Sequence, residues 1–131
     1  MAIVRPSPRV SVSDRVGDDV SRALERVDTV VGIPVSDDEI SPSPAAIIGA
    51  RALTHALSLL KRGWAPLAAI FITRTGDGAF QFEWHEAACY AEVIIHEPDS
   101  YDFLLESKSG VVESLVDSSK VAAQTLNQFL S

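Results

Sequence analysis

The chain has too little cysteine for a disulfide and no apolar run long enough for a membrane span. Its one cysteine, Cys89, excludes an internal disulfide and a zinc site built from several cysteines, and it fits a reducing compartment. The apolar stretch 67–72 is far shorter than the roughly 20 residues needed to cross a bilayer. The N-terminal residues include Arg5 and Arg9 but no apolar signal region, so we expect a cytoplasmic protein without a membrane partner.

Basic residues are also scarce, because 11 Lys and Arg stand against 18 Asp and Glu and give a formal net charge of −7. Nucleic-acid binding depends mainly on neutralising phosphates with Lys and Arg, so this class of partner is disfavoured. The shortage is greatest between Glu83 and Asp117, where Lys108 is the only basic residue. A charged partner of this protein is therefore expected to be another protein with a basic surface.

Aromatic residues are absent before residue 63, and eight of the nine fall between Trp64 and Phe103. This block contains four short runs of strand-like alternation, at 67–75, 79–85, 90–97 and 101–106. Turn residues separate the runs, which is typical of an antiparallel meander.

The lengths of the predicted turns set the register of that meander. A three-residue turn at 76–78 places Ile72 opposite Phe82 and Ile70 opposite Trp84, and a four-residue loop at 86–89 sets Phe82 against Val93. A three-residue loop at 98–100 sets Ile95 against Phe103 and Val93 against Leu105. All three choices give one apolar inner face, which includes Phe80, Phe82, Trp84 and Phe103.

Three further segments have the three- and four-residue apolar spacing of helices. One runs from about Asp18 to Gly32, and a main core helix runs from an N-cap at Ser41 or Ser43 to Arg62. A last helix is expected to open at Ser109 or Gly110 and continue to the C-terminus. The predicted fold is α+β, a four-stranded antiparallel meander with two or three helices packed on one face, formed by residues 14–131 after a flexible N-terminal arm of residues 1–13.

The same register places a row of carboxylates on the outer face, with Glu83 opposite Glu92 and Glu92 opposite Glu106. Like charges directly opposed are destabilising. The row is therefore interpreted either as a solvated face or as a binding surface for a basic segment or a divalent cation. Phe71, Ile94 and Leu104 are predicted on the same face, with Ile94 and Leu104 as direct neighbours. Either the N-terminal segment or another chain would cover them. The predicted partner-binding residues are Glu83, Glu92, Glu106, Phe71, Ile94 and Leu104.

No catalytic, cofactor-binding or metal-binding residues are assigned from the sequence. His85 and His96 fall near opposite ends of the predicted sheet, and His55 stands alone on the main helix without a second ligand at helical spacing. Cys89 lacks an oxyanion donor and an orienting group, and 76–78 lacks the Lys and Ser or Thr of a phosphate-binding loop. We therefore expect neither an enzyme nor a bound cofactor.

Three sequence motifs stand out between residues 41 and 106: Gly63-Trp64-Ala65-Pro66, the run from Gly76 to Trp84 that ends in Glu-Trp, and the alternation at 91–95 followed by Tyr101. In these motifs the segment resembles a widespread group of small uncharacterised bacterial proteins. The chain departs from the group in having Val30-Val31-Gly32-Ile33 where an aromatic-Gly-aromatic segment is expected, and in its longer C-terminal helix. The resemblance implies an antitoxin-like or immunity-like role in a bacterial two-gene system.

Three functional hypotheses follow. The first is a module that binds another protein, and the second is a specialised secretion-type chaperone that acts as a homodimer. The third is a small enzyme or metal-binding protein.

Overall fold

The chain forms helices on one side of a single antiparallel sheet over residues 12–60 and 69–130, which are the part described by a computed structural model. The predicted α+β class is confirmed, but the meander has five strands and not four. In chain order the elements are α1 (Val12–Gly32), α2 (Pro44–Ser58), β1 (Phe71–Arg74), β2 (Phe80–His85), β3 (Tyr90–Glu97), β4 (Ser100–Ser107), β5 (Gly110–Val116) and α3 (Ser119–Leu130). Neighbouring strands in the chain are also neighbours in the sheet.

The first two predicted hairpins are confirmed. Ile72 lies opposite Phe82, and Phe82 lies opposite Val93. Gly76 and Gly78 adopt φ values of 89° and 97°, a backbone region that glycine enters without steric cost, and so close the first turn. Strand β1 is shorter than predicted, since Ile70 precedes it and positions 67–68 lie outside the described residues.

The predicted register of the third hairpin is wrong by two residues. Ile95 lies opposite Tyr101, not Phe103, and Val93 lies opposite Phe103, not Leu105. The cause is an irregularity between Ile95 and Glu97, after which Glu97 pairs with Ser100 across a tighter turn. A shift of two residues preserves which face each side chain occupies, so the predicted inner face survives.

The segment after β4 is a strand where a helix was predicted. Residues 110–116 form β5 and pair with β4 through seven registered positions, from Tyr101 opposite Val116 to Ser107 opposite Gly110. Gly110 has φ 122°, which suits the tight turn that precedes the strand. Only the second half of the predicted helix is helical, as α3.

Helix α2 begins where the sequence predicts, whereas α1 begins six residues before the predicted Asp18. Ser43 is the N-cap of α2, since its side chain accepts a hydrogen bond of 3.0 Å from the Ala46 amide, and Pro44 follows at the first helical position. Helix α2 ends at Ser58, before the predicted Arg62, and residues 61–68 lie outside the described residues. Helix α1 begins at Val12, inside the predicted arm, of which residues 1–11 lie outside the described residues.

The core lies between the helices and the inner face of the sheet. Phe80, Phe82 and Trp84 are fully buried, and Phe103 is 3% exposed, so the predicted aromatic core is confirmed. The rings of Phe82 and Trp84 meet edge to face with centroids 6.3 Å apart. Within residues 12–60 and 69–130 no helix is both long enough and apolar enough to reach across a lipid bilayer.

Helix α2 makes its closest approach to the sheet at Gly49. A Cβ atom at this position would lie 2.7 Å from Ile95 Cγ2 and 2.8 Å from the Glu97 carbonyl oxygen. The buried Tyr101 hydroxyl donates a 3.1 Å hydrogen bond to the Gly49 carbonyl from the sheet side. A residue without a side chain is therefore required where α2 crosses β3.

The two edges of the sheet differ. Strand β1 has four residues and packs beside α1, from which Arg26 Nε donates a 3.4 Å hydrogen bond to the Ile72 carbonyl. The Arg74 side chain ties the end of β1 to the loop after α1 through a 2.8 Å bond to the Pro34 carbonyl. Strand β5 pairs with β4 on one side and with no described strand on the other.

Candidate interaction surface on the outer sheet face

The face of the sheet away from the helices carries most of the residues that the sequence indicated. All six predicted partner-binding residues lie on it: Phe71, Glu83, Glu92, Ile94, Leu104 and Glu106. Alternation along each strand explains this placement, because the residues between them are the buried inner set.

The register brings some of these residues together and separates others. Phe71, Glu83, Glu92 and Leu104 form one row across four strands, so the predicted opposition of Glu83 and Glu92 is confirmed. The predicted opposition of Glu92 and Glu106 is wrong, because Leu104 stands opposite Glu92 and Tyr90 opposite Glu106. Ile94 and Leu104 were expected to be direct neighbours, but Ile94 lies opposite Asp102.

Glu83 and Glu92 are held together by neutral donors and do not splay apart. The Gln81 amide nitrogen donates to Glu83 and, at 2.9 Å, to Glu92 Oε1. The Tyr90 hydroxyl donates to Glu92 Oε1 at 2.9 Å, and His85 Nε2 lies 2.9 Å from Glu83 Oε2. We call these five residues the carboxylate network. Because an amide NH₂ group has two donors, one glutamine can bridge two carboxylates that would otherwise repel each other.

Tyr90 remains a hydrogen-bond donor in this network over a wide pH range. Partial burial, the hydrogen bond to Glu92 and the nearby negative charges of Glu92, Glu83 and Glu106 all raise the pKa of the Tyr90 hydroxyl well above its usual value. The His85 ring lies tilted against the Tyr90 ring, with centroids 4.9 Å apart. The phenol is therefore positioned from two sides, and the Glu92 carboxylate that it contacts has a defined place on the face.

A shallow depression of about 400 Å³ lies beside the carboxylate network, above strands β3 to β5. Half-buried Ile94 and Leu104 line it together with the carboxylates of Glu92, Asp102 and Glu113. A Lys or Arg side chain matches this combination, because its methylene groups cover apolar surface while its charged head stays in polar surroundings.

The outer face has a single sign of charge. Its acidic residues are Glu83, Glu92, Asp102, Glu106 and Glu113, and no Lys or Arg occupies an outer-face position of the five described strands. Phe71 is 52% exposed at one side of the face and Leu115 is 67% exposed at the other. The surface therefore combines uncompensated negative charge with exposed apolar groups.

The two histidines of the sheet strands, His85 and His96, belong to different contacts. His85 joins Glu83 in the carboxylate network, whereas His96 Nε2 lies 3.6 Å from Asp77 Oδ2 near the β1–β2 turn. A hydrogen bond from the Thr75 hydroxyl and the neighbouring His96 lower the pKa of Asp77. Cys89 is half-buried in the loop before β3, and His55 is exposed on α2. Over the described ranges, no three or more His, Cys, Asp or Glu side chains are grouped so that they could hold a metal ion.

Comparison with protein-family models, with curated proteins and with solved structures gives no match for this chain. The candidate surface is therefore interpreted from its own geometry.

Sequence reasoning missed three contributors to this surface. Tyr90 was predicted only as the start of a strand and Gln81 was given no role, because a bridging role depends on side-chain distances. Glu113 was assigned to a helix together with the rest of β5. The signal for that strand was the Ser107-Lys108-Ser109-Gly110 turn followed by two valines, a hairpin pattern that the apolar spacing of Val112, Leu115 and Val116 outweighed.

Proposed function

We propose that this protein is an interaction module that binds another protein through the outer face of its sheet. One observation carries the proposal: the face presents five carboxylates without a basic residue among its described positions and has exposed apolar residues at both sides. A partner with a basic surface would gain from charge complementarity, which speeds encounter and selects against acidic competitors.

The carboxylate network supports the proposal because it fixes the charges in advance. Glu83 and Glu92 are half-buried and share the Gln81 amide, so their oxygen atoms lose little freedom when a partner binds. Preorganised groups cost less conformational entropy on association than mobile ones. The apolar residues Phe71, Ile94 and Leu104 would add burial to the same interface.

The resemblance of residues 41–106 to small bacterial proteins extends the proposal to an antitoxin-like or immunity-like role, in which the partner is the product of a neighbouring gene. An acidic face that covers a basic functional surface is one physical way to neutralise such a partner. The proposed interaction is non-catalytic and needs no cofactor.

The test is a calorimetric titration of this protein against the product of the adjacent gene. Glu83→Gln combined with Glu92→Gln keeps side-chain shape and an oxygen acceptor for Gln81 while it removes two charges. We expect this variant to bind at least about tenfold more weakly, equivalent to about 1.4 kcal/mol. Glu83→Lys combined with Glu92→Lys should abolish measurable binding, and added salt should weaken binding of the unmodified protein.

The matched control is Glu25→Lys combined with Asp38→Lys, which changes the net charge by as much as the double lysine variant on the outer face. Glu25 on α1 and Asp38 in the following loop are exposed and belong to no strand of the sheet. Equal affinities for the control and the Glu83/Glu92 lysine variant would mean that total charge matters and the outer face does not.

A further inference from the structure

Among the described residues, the backbone edge of β5 that faces away from β4 pairs with no other strand, and Glu113 is the one charged residue in β5. The strand contains no proline and no lysine, and it pairs with β4 in regular register over all seven residues. Long regular edge strands expose a row of unpaired N–H and C=O groups, and proteins commonly blunt them with charges, bulges or a covering element. By contrast, β1 has four residues and packs beside α1.

The side chains of β5 are exposed on both faces of the sheet. Val111 and Leu115 point to the outer face and are 56% and 67% exposed. Val112 points to the inner face and is still 59% exposed, although its neighbour Leu105 on β4 is buried. The helices pack against Val116 but leave the rest of the inner side of β5 uncovered. A strand added along this edge would bury apolar surface on both faces as well as pair the free backbone.

The charges around β5 indicate what kind of strand would fit. Glu113 is the only charged residue within the strand, and on the outer face it follows Leu104 and Glu92 in one row. A residue placed opposite Glu113 would lie two strand spacings, or about 10 Å, from β4. An Arg or Lys side chain laid over β5 from that position would carry its charge to the edge of the depression lined by Asp102 and Glu113.

We propose that β5 binds an extended segment of another protein by antiparallel strand addition, with a Lys or Arg opposite Glu113 and apolar residues opposite Val111 and Leu115. This inference rests on the proposed function and specifies where and how the basic partner is held. A second copy of this chain fits less well, because it would bring its own Glu113 and Asp117 to an acidic face. Backbone pairing would supply affinity and the alternating side chains specificity.

The experiment uses the whole protein labelled with ¹⁵N and the capped peptide Thr-Val-Thr-Arg-Thr-Val-Thr. In an antiparallel edge strand only every second N–H points outward. Peptide binding should therefore slow hydrogen exchange at alternate amides within residues 110–116. The same peptide with Glu in place of Arg should bind about threefold to tenfold more weakly, the range for a reversed cross-strand charge pair. Glu113→Lys should reverse this preference. Because Glu113 is exposed, the variant should fold like the unmodified protein.

Three results would overturn strand addition. Protection of the β5 amides without peptide, rising with protein concentration, would show that a second copy occupies the edge. Peptide-induced changes in the NMR signals around Glu83 and Glu92, without slower hydrogen exchange in β5, would place the binding surface on the outer face and exclude the β5 edge. An unchanged ¹⁵N NMR spectrum of the protein at millimolar peptide would exclude binding of the proposed segment. The proposed function is refuted by a different result, namely normal binding of the adjacent gene product by the Glu83 and Glu92 variants.

Discussion

Replacing Gly49 with alanine should destabilise the protein, although the same change usually stabilises a helix. Alanine in a helix interior is favoured over glycine by about 1 kcal/mol. At Gly49, however, the new Cβ would lie 2.7 Å from Ile95 Cγ2, 2.8 Å from the Glu97 carbonyl oxygen and 3.1 Å from its carbon. Two of these three atoms belong to the backbone of β3, so no side-chain rotation can relieve them.

The magnitude follows from these opposing effects. Overpacking of this kind costs about 1–3 kcal/mol, and a clash with backbone belongs in the upper part of that range. After the gain in helix propensity, the net loss in free energy of unfolding should be about 1–2 kcal/mol. For a domain of this size each kcal/mol lowers the melting temperature by about 4 °C.

Urea unfolding followed by circular dichroism measures this loss, and Gly32→Ala is the matched control. Gly32 ends α1, and a Cβ added there meets nothing within 4 Å. The control should therefore be neutral or slightly stabilising. If Gly49→Ala were as stable as Gly32→Ala, helix α2 would not cross β3 at the distance described, and the position of the Tyr101 hydroxyl against the Gly49 carbonyl would also be wrong.

Two further predictions concern the core and the tyrosines. Trp84→Ala should lower the free energy of unfolding by about 3–5 kcal/mol, whereas Phe71→Ala on the exposed outer face should change it by less than about 0.5 kcal/mol; comparable losses in urea unfolding would mean that the two faces are assigned wrongly. Burial raises the pKa of both Tyr90 and Tyr101 in the folded protein. Each hydroxyl has a lower pKa in the unfolded state than in the folded state. Its contribution to the free energy of unfolding is therefore complete below about pH 10 and is lost as the pH rises through the folded pKa. Absorbance at alkaline pH should show neither tyrosine titrating normally until the protein unfolds, and a normal phenol transition in folded protein would contradict the carboxylate network around Tyr90.

The parts of the fold that the sequence predicted correctly are those set by short-range rules. Turn residues at 76–78 and the loop before Tyr90 determined two registers, and alternation then assigned every aromatic side chain of β2 to the core. Ser43 and Pro44 marked the start of α2 by capping chemistry alone.

The errors arose where two local patterns competed or where the outcome depended on distance. At the β3–β4 turn, β3 contains one extra residue and the loop is shorter than the predicted one. The predicted and the observed register keep the same residues on the inner face, so the apolar pattern could not distinguish them. In β5, Val112, Leu115 and Val116 satisfy helical spacing as well as a strand exposed on both faces, so periodicity could not separate them. The bridging of Glu83 and Glu92 by Gln81 requires side-chain positions, which no sequence pattern contains.

The unequal edges of the sheet have a consequence for the stoichiometry of assembly. A sheet that is open on both sides can extend in two directions and so polymerise, because every added copy exposes a fresh edge like the one it covered. Here β1 is short and contacted by Arg26 of α1, so among the described strands only β5 can accept a neighbour. Under the proposed strand addition, pairing of β5 would use the open edge that the described strands offer, and the outer edge of the partner would decide whether growth continues. The proposal therefore predicts one bound strand for each copy of the protein and no edge-to-edge polymer.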